Sequence, residues 1–132
     1  MKYCTDTWFF IELSKQEPQA LKILNDLKKS KNKLVVPSVV ILELTRRAIR
    51  TGTKKYMDEL IKSLKSIKNV FIAECDVDVA EKAGEISADF NIPSIDSIIA
   101  ATSIINKCNK LISNDFHFDK LKKNKLIKLV SW

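Results

Sequence analysis

Four acidic residues, Asp6, Glu43, Asp96 and Asp115, stand among apolar neighbours where an acid is costly. Asp6 follows Tyr3-Cys4-Thr5, Glu43 interrupts the run VVILEL, Asp96 sits in PSIDSIIAAT, and Asp115 closes LISND. A carboxylate in such surroundings needs a cationic partner, a raised pKa or a metal ion. Two carboxylates about 4 Å apart repel by roughly 4 kcal/mol at an effective dielectric of about 20, so a convergent set could not all stay ionised without compensation. With one histidine and no CxxC spacing, the sequence offers mainly oxygen ligands, which suit a hard divalent cation such as Mg2+ or Mn2+. Such an ion lowers the pKa of a bound water and holds a phosphate oxygen. Two ions would steady both the attacking and leaving oxygens of an in-line phosphoryl displacement. Each acid also has an ordinary reading: Asp96 as a charge favoured at a helix start, Asp115 as a turn residue, Glu43 as a partner of Arg46 or Arg47.

Convergence depends on the elements that carry these residues. Short apolar runs read as strands over residues 3–5, 34–36, 70–73, 111–113 and 126–130. Between them, helical spacing predicts helices over residues 7–13, 19–29, 39–50, 53–67, 76–90 and 94–105. Pro18 opens the second of these. Ser38, Thr53, Asp76 or Asp78, and Ser94 read as caps of the later ones. Trp8, Phe9 and Ile11 are the inward residues expected of the first helix, and Ile95, Ile98, Ile99, Thr102 and Ile105 those of the last. Residues 116–123 read as a loop or a single turn. Strands alternating with helices predict an α/β sandwich, three layers deep, around a mostly parallel sheet of about five strands. Ligands gather beyond the carboxyl ends of such strands. Asp6 and Asp115 directly follow strands, and Glu43 and Asp96 lie in early turns of helices entered from strand ends, so all four are expected on one rim.

Composition sets the frame. The 132 residues, 45% apolar and 30% charged with two glycines and three prolines, are expected to form one domain over residues 1–132, neither disordered nor fibrous. Cys4, Cys75 and Cys108 lack metal-site spacing and read as buried thiols in a reducing compartment. Trp8-Phe9-Phe10-Ile11, bracketed by Asp6 and Glu12, is too short for a signal segment, and no run approaches a membrane span, so a soluble, cytoplasmic protein is expected. The net charge of +7 suits a polyanionic partner or simply a solvated surface. Arg46, Arg47 and Arg50 with Lys54 and Lys55 form a basic cluster beyond Glu43, a candidate for phosphate contacts or an ordinary solvated helix face.

Asp6-Thr7 after the first strand, Glu43 within VVILEL, Asp96 within IDSIIAAT and the closing LISND together resemble the PIN-domain ribonucleases, especially the small VapC-type toxins of toxin–antitoxin pairs. The resemblance runs from Tyr3 to Val130, and IDSIIAAT followed by LISND is its most specific part. It implies metal-dependent cleavage of RNA, a homodimer, and a small antitoxin partner that blocks the acidic site. It places Asp6, Glu43, Asp96 and Asp115 at the family's acidic metal-binding positions, with the Thr7 and Ser113 hydroxyls close by. One departure stands out: where some members carry a further acid just past Asp115, this chain has His117 and Phe118. Asp119 is a substitute for that acid, and His117 reads as a loop histidine or a phosphate contact.

The sequence therefore points to an Mg2+- or Mn2+-dependent endoribonuclease acting by in-line attack of an activated water. Two rivals remain at this stage. An inactive RNA-binding or scaffold version of the fold would keep the acids only for folding. A phosphatase using Asp6 as nucleophile would want a second aspartate where Trp8 stands.

Overall fold

The computed structural model describes residues 1–29 and 31–132. Five strands, β1 (Lys2–Thr5), β2 (Lys33–Pro37), β3 (Val70–Ala73), β4 (Lys110–Ile112) and β5 (Leu129–Val130), form one sheet in the order β3-β2-β1-β4-β5, every neighbouring pair parallel. In register, Cys4 sits between Val35 of β2 and Leu111 of β4. Consecutive side chains of a strand point to opposite faces, and Leu34, Val35 and Val36 are all buried. Both faces of the sheet centre are thus covered, as parallel pairing with helical crossovers demands.

The helices are α1 (Thr7–Ser14), α2 (Pro18–Lys28), α3 (Ser38–Thr51), α4 (Lys54–Ser66), α5 (Val77–Phe90), α6 (Ser94–Ile105) and α7 (Asp119–Lys123), the last preceded by a 3-10 turn at Phe116–Phe118. Sequence signals explain most boundaries. Pro18 stands in the first turn of α2, and Glu17 caps it by accepting from the Gln19 and Ala20 N–H groups. Asp76, not Asp78, caps α5. Gly52 ends α3 at φ +73°, a conformation that favours glycine.

Several expectations shift. Ser38 and Ser94 are the first helical residues rather than caps; Pro37 and Pro93 occupy the cap positions and neither serine makes a capping bond. Thr53 precedes α4 but makes no side-chain capping bond to it, and its hydroxyl pairs with that of Thr51. The last strand keeps only Leu129–Val130. Its expected first half is consumed by a turn in which Lys125 adopts φ +61° and the Leu126 N–H returns to the Leu121 carbonyl. Phe10 joins Phe9 in the core, while Trp8 and Ile11 are only half-buried. The buried side of α6 is not an isoleucine stripe but Ser97, Ile99, Ala100, Ala101, Thr102 and Ser103, with Ile105 exposed. This helix packs on α5, α3 and strands β1, β2 and β4. Small residues permit that close approach on several sides. Of the thiols, Cys4 is buried and Cys108 half-buried, but Cys75 is exposed.

Candidate metal centre

The four acids meet at the carboxyl edge of the sheet, lining one hollow of about 150 Å³ with Thr7 and Asn114. β1 ends at Thr5 and hands over to Asp6, whose N–H donates to the Ile112 carbonyl at the end of neighbouring β4. The Asp6 carboxylate doubles as the cap of α1: Oδ1 accepts from the Trp8 N–H at 2.9 Å, and Oδ2 accepts from the Ser113 hydroxyl. Ser113 Oγ in turn accepts from the Asp115 N–H at 3.0 Å, so one hydroxyl ties the two aspartates together. Thr7 Oγ1 donates to Glu43 Oε1 at 2.8 Å and fixes the glutamate from the first turn of the adjacent helix. The expected alternative for Glu43, an ion pair with Arg46 or Arg47, does not form among the described residues. Asp96 projects from the first turn of α6.

Electrostatics mark the hollow as poor in positive charge. Among the described residues no lysine or arginine pairs with any of the four acids. Burial, above all, pushes the Asp6 carboxyl up to about 6, and the charges of Asp115 and Asp96 add to it against the Ser113 and Trp8 hydrogen bonds. Asp96 is likewise raised to about 6 by burial, then by Asp115 and Glu43, with His117 opposing.

His117, read from the sequence as a loop histidine or a phosphate contact, stands beside two of the acids: its Nδ1 lies 2.8 Å from Asp115 Oδ1 and 3.1 Å from Asp96 Oδ2. Asp115 brings it there by capping the 3-10 turn, Oδ1 accepting from the His117 N–H at 2.9 Å. An aspartate two residues ahead of a histidine is the signal that could have shown this, since such a turn folds back over its own cap. Asp119, the expected substitute acid, is exposed at the start of α7 and is not part of the Asp96–Asp115–His117 group. Phe116, 73% exposed, packs against the His117 ring with centroids 4.2 Å apart and the planes tilted by 33°. Asp96, Asp115 and His117 offer ligand atoms all within 4.8 Å of one another, and His117 Nδ1 is buried without an aligned hydrogen-bond partner. Clustered acids without a lysine or arginine partner among the described residues and a buried nitrogen without an aligned hydrogen bond form a donor set that fits a divalent cation.

A PIN-domain family model matches residues 3–124. The chain belongs to the PIN-domain family. Members of this family are generally nucleases, and the acidic hollow of the present PIN domain occupies the strand edge where an α/β fold gathers its ligands. Solved structures agree on the fold. VapBC2 from Rickettsia felis, bound to a DNA fragment from its promoter, superimposes with a TM-score of 0.78 at 20% identity, covering 100% of this chain and 99% of that one. VapBC-1 from nontypeable Haemophilus influenzae gives 0.75 at 18% identity, covering 100% and 98%. A toxin–antitoxin complex from Klebsiella pneumoniae gives 0.70 at 16% identity, covering 97% and 95%. Among curated proteins no match was found.

The basic cluster divides. Arg46, Arg47 and Arg50 are exposed on α3 and line a groove of about 430 Å³ that shares Thr7 and Glu43 with the acidic hollow. Lys54 is not among the residues lining that groove; it pairs with Asp58 one turn on in α4. Trp8, partly covered, packs against Trp132 with ring centroids 4.7 Å apart. No helix among the described residues is long and apolar enough to cross a membrane.

Proposed function

We propose that this PIN domain is a divalent-metal-dependent endoribonuclease, the toxin of a toxin–antitoxin pair. The observation that carries this reading is the meeting of Asp6, Glu43, Asp96 and Asp115 in one hollow with no lysine or arginine among the described residues to balance them. In this reading the four carboxylates hold one or two Mg2+ or Mn2+ ions. A bound ion supplies Lewis acidity and a water of lowered pKa. The chain supplies position. Ser113 sets the relative placement of Asp6 and Asp115, and Thr7 sets Glu43. Arg46, Arg47 and Arg50 bind backbone phosphates in the groove that leads to the hollow. The reaction is hydrolysis: a water oxygen bonds to phosphorus as the P–O ester bond opposite it breaks, and the leaving oxygen takes a proton.

The same electrostatics weigh against an inactive scaffold, because a chain that used these acids only for folding would gain nothing from a buried, mutually repelling set. An Asp6 nucleophile is also disfavoured, since both its oxygens are engaged, by Ser113 and the Trp8 N–H. By analogy with the toxin–antitoxin complex of Klebsiella pneumoniae, an antitoxin would be the resting partner; the homodimer is what the resemblance to VapC-type toxins implies. The test is incubation of the purified chain with total RNA, with and without chelator, followed by mapping of new ends. Discrete cuts that vanish on chelation are expected. Cuts that persist in chelator, or no cuts with either ion, would refute the proposal.

A further inference from the structure

We infer that His117 Nδ1 is a direct nitrogen ligand in the metal centre, making it a mixed nitrogen–oxygen site that selects Mn2+ over Mg2+. The inference rests on the metal-binding role of the acids proposed above and adds to it a ligand and an ion preference. Three observations carry it. First, Nδ1 is buried and close to two carboxylate oxygens, yet has hydrogen-bond alignment with neither. A protonated Nδ1 held by those acids would point its N–H at one of them. Here Nδ1 stands within 3.1 Å of an oxygen of each acid without such alignment, as expected of a nitrogen that shares a cation with them.

Second, the spacings, which an imidazole–carboxylate ion pair would also give, fit neighbouring ligands on one ion. Adjacent ligands of an octahedral ion with bonds of about 2.1 Å lie about 3.0 Å apart, and Nδ1 lies 2.8 and 3.1 Å from the two oxygens. Third, the imidazole is held in place before any ion arrives. Its backbone N–H is anchored on Asp115 Oδ1, the Phe116 ring packs against it, and the next residue, Phe118, is fully buried. A ligand fixed in this way loses little freedom on binding. Imidazole nitrogen favours first-row transition ions, whereas Mg2+ prefers an all-oxygen shell. The histidine therefore shifts the preference of an otherwise acidic site.

The test uses the whole chain, stripped of metal and reloaded with Mn2+, in pulsed electron paramagnetic resonance. Nitrogen modulation from one directly bound imidazole is expected, and it should disappear in His117→Gln while the Mn2+ signal shows the ion still bound. In parallel, calorimetry should show that His117→Asp lowers the ratio of Mn2+ to Mg2+ affinity by about tenfold or more. Bound Mn2+ without nitrogen modulation, or an unchanged ratio in His117→Asp, would overturn the ligand assignment and leave the nuclease proposal intact. Absence of binding by either ion would overturn both.

Discussion

Replacing Asp96 with asparagine should stabilise the metal-free protein at neutral pH while removing its activity. The carboxyl is raised from 3.8 to about 6, so its ionised form is less favourable in the fold than in the unfolded chain. That difference amounts to about 3 kcal/mol at full ionisation, and solvent at a partly open site reduces it to about 1–2 kcal/mol. Asparagine keeps the shape and cannot ionise. For a chain of 132 residues, about 1.5 kcal/mol corresponds to a rise in Tm of about 5 °C. The sign follows from the raised value. A raised carboxyl gives its full stabilisation below about pH 3.8 and loses it as the pH climbs through about 6. The advantage of the variant should therefore be largest above about pH 6 and fade toward pH 4. Circular-dichroism melts in chelator at several pH values measure it directly. Saturating Mn2+ should reverse the order, because only the wild-type site gains the full stabilisation of ion binding. A variant that melts lower in chelator at neutral pH would refute the reasoning, as would a difference independent of pH.

Other consequences can be checked separately. Divalent-ion affinity should fall as the pH drops below about 6, since Asp6 and Asp96 must give up protons to bind, and calorimetry in buffers of different ionisation heat should register the proton release. Alanine at Arg46, Arg47 or Arg50 should weaken RNA binding without changing the melting temperature, because all three are exposed, and should flatten the salt dependence by about 0.7 in log–log slope for each phosphate no longer neutralised. Phe118→Ala should cost about 3–5 kcal/mol in denaturant unfolding, because a fully buried ring anchors the turn that carries His117.

How far the sequence can be read follows from what each signal measures. Apolar runs and helical spacing mark buried segments, so the sheet and the meeting of four distant acids at its carboxyl edge are legible without any coordinates. Signals set by one or two backbone angles are less so. Pro37 and Pro93 take the cap positions that the serines after them would suit by residue type, and the left-handed Lys125 cuts the last strand short. The isoleucines of α6 mislead because a helix buried on several sides is chosen for small residues where it is tightest, not for a single apolar stripe. Glu43 is recognisable as sheltered, but the Thr7 hydroxyl that holds it lies 36 residues away and leaves no local trace. The setting of His117 is illegible for a related reason: it comes from a turn capped by Asp115 and from Asp96 on another helix.

Anomalous diffraction from crystals of the whole chain soaked in Mn2+ bears most directly on the central claim. The account predicts a peak beside the hollow, within bonding distance of oxygens from Asp96 and Asp115 and of His117 Nδ1, absent in Asp96→Asn. No peak there, or Mn2+ bound only elsewhere on the surface, would contradict it.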